Sequence, residues 1–340
     1  MHFASRRTDL PVLLLHNVDR NWDPAEKAQA LRMATELEAA MRQEGHPVTN
    51  LPVTDGDLAR CLRGHDPQAC IVLNWCEDLP GVPHSDALVA QMLERLRFAY
   101  TGSSPEVLAL SWDKPRVKLL LEEWGVATPA WRLCESPRVD GWVCFPAIVK
   151  PAREHCSYGV SPESVVLNPA QLRARVAYVL EVLQQPALVE DFIDGREFHV
   201  SVWGNGAVQM LPPVEMDFAA LDDVRDRVCS YDSKFCPASR HYEEIEMRLP
   251  APLTAAERAS LEQAVLKTYR ALGCRDYARL DIRLRDGVFY VLDVNPNPDI
   301  GAEASMAYAA AAAGYSYGAM ASQLVSLAAL RHPVFGAGRH

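Results

Sequence analysis

The sequence predicts an α/β protein that continues as α+β: an open, mainly parallel sheet with covering helices, followed by two α+β regions. Strand-like and helix-like segments alternate over the first hundred residues, whereas beyond residue 195 the connections shorten to hairpin turns. A chain of 340 residues is also too long for one small core and suits two or three domains.

Val12 to Leu15 reads as a buried strand. Asp23-Pro24 then starts a long helix whose apolar stripe runs through Leu31, Ala34, Leu37 and Met41 until Gly45 stops it. Ile71 to Asn74 and Phe98 to Thr101 read as further strands, with a helix from Asp86 to Leu96 between them. After the turn Gly102-Ser103-Ser104-Pro105, a helix from Lys114 to Trp124 ends at Gly125, and Thr128-Pro129 leads into a second region. There FPAIVKP and ALVEDFI are short strands separated by a polar loop and a helix around Leu172 to Leu183. From EFHVSVWGNG onward the strands are antiparallel in style, with Gly204-Asn205-Gly206 as a turn, and a helix from Ala255 to Leu272 precedes a last hairpin. The alanine-rich end, ASMAYAAAAAGYSYGAMASQLVSLAAL, carries the apolar residues of two packed helices broken at Gly314. The expected division is 1–108, 109–200 and 201–340.

Composition excludes several classes. A formal net charge of −10 argues against non-specific nucleic-acid binding. The nine cysteines are scattered, with no CxxC pair and no HExxH, so neither a disulfide framework nor a structural zinc site is indicated and reduced cytosol fits best. The first residues hold an apolar run too short for a signal peptide, and no run of about 18 apolar residues occurs. A cytoplasmic protein is expected.

The chemistry concentrates in YARLDIRLRDGVFYVLDVNPNPDI. Pairing two strands across Asp286-Gly287 brings Asp281 together with Asp293 and Asn295 at one end of a sheet. Carboxylate and amide oxygens without nearby Cys or His suit Mg2+ or Mn2+, which borrows further ligands from substrate phosphates, so the implied partner is a nucleotide. Upstream, Lys150 is followed by the loop AREHCSYGVS, which offers peptide N–H groups to an anion beside a point charge. Glu190 and Glu197 bracket VEDFIDGRE, where two carboxylates and backbone amides can read an adenine and a ribose. His155 and His199 read as single histidines of surface or core.

In order and spacing these segments resemble the ATP-grasp superfamily, and within it the D-alanine–D-alanine ligase family, over roughly residues 98 to 325. The resemblance lies in AYTGSSPEVLALSWDKPRVKLLLEEWGVATPAW, FPAIVKPAREHCSYGVS, LVEDFIDGREFHVSV, YDSKF, YARLDIRL and VLDVNPNP. It implies an ATP-grasp fold whose two α+β subdomains clamp ATP, and a homodimer. It further implies that Lys114, Lys150 and Ser157 contact the nucleotide, that Glu190 reads the adenine amino group and that Glu197 holds the ribose. Lys234, on a lid of roughly Phe218 to His241, would cover the γ-phosphate. Arg279 would stabilise the tetrahedral intermediate, and Asp281, Asp293 and Asn295 would hold two Mg2+ ions. The implied reaction is carboxylate–amine ligation through an acyl phosphate.

Asp293 departs from the more usual Glu, and HNVDRNWDPAEK replaces the family's glycine-rich N-terminal signature, leaving Glu26 as a loose counterpart of its substrate-gripping glutamate. The serine and tyrosine of the family's substrate pocket stand here as Cys156 and Phe235. These departures imply small amino-acid-like substrates other than the ordinary cell-wall pair. A depsipeptide-type ligase using a hydroxy acid and a nucleotide-holding regulator without turnover are the alternatives.

Overall fold

The computed structural model describes residues 6–230 and 239–336, so Lys234 and Phe235 lie outside the described residues. Three sheets carry the architecture. The first is wholly parallel, in the order β2-β1-β3, from β1 (Val12–Asn17), β2 (Val48–Val53) and β3 (Ile71–Trp75). Its strands are joined by helices because a parallel pair needs a crossover. The Pro24–Glu44 helix makes the first one. Its start is fixed by Asp23, whose side chain caps Ala25 and Glu26, and its end by Gly45 in the left-handed region at φ 111°.

Two details of this region differ from expectation. Phe98–Thr101 is not a strand: only Tyr100 bridges to Val72. The Thr101 hydroxyl oxygen accepts from Asn74 N at 2.9 Å, taking the amide that the next rung would use. The strand the sequence reading passed over is β2, whose Pro52 is tolerated because β2 is an edge strand. Ala34, Leu37 and Met41 are buried as expected, but Leu31 is 45% exposed and lies off the packed face.

The second sheet is antiparallel, ordered β4-β7-β5-β6, from β4 (Trp131–Cys134), β5 (Ala147–Pro151), β6 (Val165–Val166) and β7 (Ala187–Asp191). The Pro169–Glu181 helix buries Leu172, Val176 and Val179 against it. The third sheet contains β8 (Arg196–Trp203), β9 (Gln209–Met210), β10 (Val214–Asp217), β11 (Glu246–Arg248), β12 (Tyr277–Arg285) and β13 (Val288–Asn295). Its order is β11-β10-β8-β12-β13, with β9 turning back onto β8. Because strand side chains alternate, Phe198, Val200, Val202, Leu280 and Ile282 form one apolar face. The helices Lys114–Glu123 and Ala255–Leu272 cover that face through Val117, Leu121, Leu261 and Val265.

The two C-terminal helices, Ser305–Ala312 and Tyr317–Ala329, are separated at Gly314 and pack into the same core as the first sheet and the Pro24–Glu44 helix. The approach is close enough that a Cβ on Gly318 would fall against the Ala40 carbonyl oxygen. Among the described residues no helix is long and apolar enough to cross a membrane.

Asp276 joins these parts. Fully buried, it accepts from Gly102 N at 2.9 Å, Asn205 Nδ2 at 2.8 Å, and Arg331 Nη1 and Nη2 at 2.7 and 2.6 Å. Removing one member of such a pair strands the other's charge, so Asp276→Ala is expected to cost about 3 to 5 kcal/mol. Urea unfolding checks this: the midpoint should fall well below that of the unaltered chain, and equal midpoints would contradict the role.

Candidate active site

The face of the third sheet opposite its apolar core is polar. On β8 it presents Glu197, His199 and Ser201, and on β12 Arg279, Asp281 and Arg283. Cross-strand register sets Asp281 opposite both His199 and Asp293, and Arg279 opposite Ser201 and Asn295. The hairpin closed by Asp286-Gly287 thus brings together the three oxygen-bearing side chains that the sequence placed there. Arg279 donates to Asp281 through Nε at 2.8 Å and Nη2 at 3.1 Å. Burial opposes the Arg279 charge, but Asp281 more than offsets it and holds the guanidinium charged.

Lys114, first residue of the Lys114–Glu123 helix, sets its Nζ 2.5 Å from Asp293 Oδ2. Burial alone would push the Asp293 carboxyl up, yet the Lys114 ammonium, with His155 and Lys150, holds it below the usual range. The second sheet contributes Lys150 from β5 and Glu190 from β7. Glu190 is buried between two ammonium groups, Lys118 Nζ at 2.5 Å and Lys150 Nζ at 2.7 Å. Burial pushes Glu190 up and the two lysines bring it down further. Lys118, also buried, donates to Thr128 Oγ1 at 2.8 Å. Glu197 pairs with Arg283 Nε at 2.7 Å, which holds it ionised against its burial.

The loop after Lys150 bends through Cys156 and Ser157, at φ 55° and 59°, and Gly159 at 70°. Left-handed backbone is uncommon outside glycine, and runs of it turn peptide N–H groups to one side. Ser157 Oγ donates to Cys229 O at 2.8 Å, tying this loop to the segment after β10. His155 is not an isolated surface histidine. Its Nε2 lies 3.1 Å from Ser111 Oγ, its ring meets Trp112 edge-on at 4.3 Å, and burial followed by Lys114 lowers its pKa to about 4. Glu26 is engaged elsewhere: its carboxylate accepts from Asp23 N at 2.9 Å in a helix capping box. Cys156 stands near Arg279.

Sequence reading missed Lys118 and Arg283. Both carried a signal: Lys118 is one helical turn after Lys114, and Arg283 continues the alternation of Arg279 and Asp281. Several buried polar atoms on this face lack a hydrogen-bond partner among the described residues, namely Ser201 Oγ, His199 Nε2 and Asn295 Nδ2. A buried polar atom left unpaired is costly, so this face is built to meet a polar ligand. The oxygens of Asp281, Asp293 and Asn295 could hold a hard divalent cation, and an ammonium already occupies the cation's place on Asp293.

Comparison with known proteins agrees with this geometry. Residues 123–326 match the family model described as D-ala D-ala ligase C-terminus. A D-alanine–D-alanine ligase of Desulforudis audaxviator is 31% identical over 311 residues, covering 89% of this chain and 95% of the relative. An uncharacterized protein of Sinorhizobium fredii, y4sG, is 32% identical over 315 residues, covering 90% of each chain. The crystal structure of a Bacillus anthracis D-alanine–D-alanine ligase complexed with ATP superimposes with a TM-score of 0.71 at 21% identity, covering 94% of this chain and 97% of that one. Its fold is the fold described above, and the chain belongs to the D-alanine–D-alanine ligase family of ATP-grasp ligases.

Proposed function

We propose that this chain joins the carboxylate of one small amino-acid-like substrate to the amine of another, at the expense of ATP. The observation that carries the reading is the paired strand end where Arg279 and Asp281 face Asn295 and Asp293, with the Lys114 ammonium on Asp293. A carboxylate is a poor acyl donor. Transfer of the γ-phosphoryl group makes an acyl phosphate, which an amine attacks with phosphate leaving. What the protein supplies is alignment and fixed positive charge where negative charge develops.

In this reading Lys150 and the loop through Ser157 hold phosphate oxygens, Glu190 accepts from the adenine amino group and Glu197 from the ribose. Lys114 and Arg279 offset charge on the transferring group and on the tetrahedral intermediate. Asp281, Asp293 and Asn295 would hold Mg2+ or Mn2+, which neutralises phosphate charge when bound. With Lys114 on Asp293 and Arg279 on Asp281, these half-buried acids are already paired when no cation is bound. Lys234 and the lid segment take part in the same reading from the sequence resemblance. Exclusion of water by that lid protects the acyl phosphate from hydrolysis.

The relatives' names make D-alanine the first substrate to test. The expectation of a different preferred pair rests on the replaced N-terminal signature with Glu26 and on Cys156 and Phe235, and the relatives favour neither that expectation, nor a hydroxy-acid nucleophile, nor a regulator without turnover. A screen of pairwise amino-acid and hydroxy-acid mixtures with ATP and Mg2+, read by phosphate release and product mass, names the substrates. ATP-dependent phosphate release with no amide product from any pair would overturn the ligase reading.

Two variants test the assigned roles. Asp281→Asn keeps the side-chain volume and removes the charge; phosphate release should drop by about 100-fold or more while circular dichroism stays unchanged. Lys150→Met keeps the length and removes the ammonium, leaving Glu190 its Lys118 partner. Loss of a charged hydrogen bond worth about 1.5 to 3 kcal/mol should raise the KM for ATP by about 10- to 100-fold, and an unchanged KM would remove Lys150 from the nucleotide site.

A further inference from the structure

Glu197, His199 and Cys229 form a second constellation of different chemistry. One carboxylate oxygen, one imidazole nitrogen and the thiol sulfur lie within 4.8 Å of one another, and all three residues are buried. Each is held in place from outside the cluster. The other oxygen of Glu197 accepts from Arg283 Nε at 2.7 Å. His199 Nδ1 lies 3.2 Å from Ser305 Oγ, and in the tautomer that donates there the Nε2 lone pair faces the cluster. That Nε2 has no hydrogen-bond partner among the described residues, being 3.8 Å from Glu197 Oε1 and 3.9 Å from Asp281 Oδ1. Cys229 is fixed by packing against Phe218, Leu221 and Ile245, and through the bond from Ser157 to its carbonyl.

We infer that Glu197, His199 and Cys229 bind Zn2+ in the nucleotide-free protein, as a site separate from the oxygen ligands of Asp281, Asp293 and Asn295. A nitrogen, a sulfur and a carboxylate oxygen make a borderline-soft donor set that Mg2+ does not select and Zn2+ does. Zinc–donor bonds run about 2.0 to 2.3 Å, so closing the cluster round an ion needs side-chain movements of roughly 1 Å. The thiol gives up its proton to the solvent as the metal–sulfur bond forms.

The consequence for the enzyme rests on the assignment of Glu197 to the ribose. With its other oxygen held by Arg283, Glu197 meets both Zn2+ and a ribose hydroxyl through the same free oxygen, so the ion stands where the hydroxyl would sit and Zn2+ and the nucleoside compete.

The test uses the full chain without nucleotide, titrated with Co2+ as a coloured stand-in for Zn2+. One equivalent should produce an intense thiolate-to-metal charge-transfer band. The band should vanish in Cys229→Ser and require at least tenfold more metal in His199→Gln. No band in the unaltered chain, or an equal band in a Cys229→Ser protein whose unfolding midpoint is normal, overturns the site. Zn2+ should suppress phosphate release in the unaltered chain and spare Cys229→Ser; equal suppression of both also overturns it. Adenosine, which has no phosphates to chelate metal, should displace Co2+. A band that adenosine leaves intact overturns the competition and the ribose role of Glu197 while leaving the ligase reading standing, whereas an absent band in an active ligase removes only the zinc site.

Discussion

The fold depends most on one buried carboxylate. Asp276 takes the amide of Gly102 at the end of the first sheet, the side chain of Asn205 in the β8–β9 turn and the guanidinium of Arg331 beyond the last helix, while heading β12 itself. Asn205 answers by accepting from Asp276 N at 2.9 Å and donating to Leu327 O at 3.2 Å. The four segments are remote in sequence, and each brings polar groups that would be costly to bury alone. Satisfying them around a single acid fixes where β12 begins. Since Arg279, Asp281 and Arg283 follow at period two, it also fixes which face they present.

That face is an assembly of charges that would each be unstable in isolation. Glu190 sits between two ammonium groups, Asp293 takes Lys114, Asp281 takes Arg279 and Glu197 takes Arg283. Ion pairs of this kind contribute little net stability, because desolvation consumes most of the Coulomb gain. Their value is positional. Each acid is paired and oriented before a ligand arrives, so little reorganisation remains when a ligand takes over from the internal partners.

Much of this was legible in the sequence because the signals are local. The Asp286-Gly287 turn and the alternation on either side set the register of Asp281 with Asp293 without reference to the rest of the chain. The Ala255–Leu272 helix carries its own boundaries, a cap at Thr254 and a stop at Gly273. What escaped depends on distant partners. Phe98–Thr101 has strand-like residues, but Thr101 spends its hydroxyl on Asn74 N instead of extending the ladder. Lys118 reads as an ordinary helical surface lysine until β7 delivers Glu190 beneath it. His155 and His199 showed no pattern, since their neighbours Ser111 and Ser305 lie 44 and 106 residues away. Glu26 was placed in a pocket by analogy, whereas the capping signal Asp23-x-x-Glu26 was visible in the residues themselves.

The sharing of one core by Leu10, Val12 and Leu14 with Met320, Leu324 and Ala328 bears on how the chain is made. The ribosome releases the first sheet long before it has translated the helix that covers its inner side. During elongation that side stays exposed to water and to other nascent chains, whereas the second sheet has its covering helix Pro169–Glu181 within its own span. The middle of the protein can therefore consolidate while the beginning waits for the end. Termination before Tyr317 is translated removes the partner of the first strands and leaves a sticky, unfinished layer for chaperones and proteases to meet.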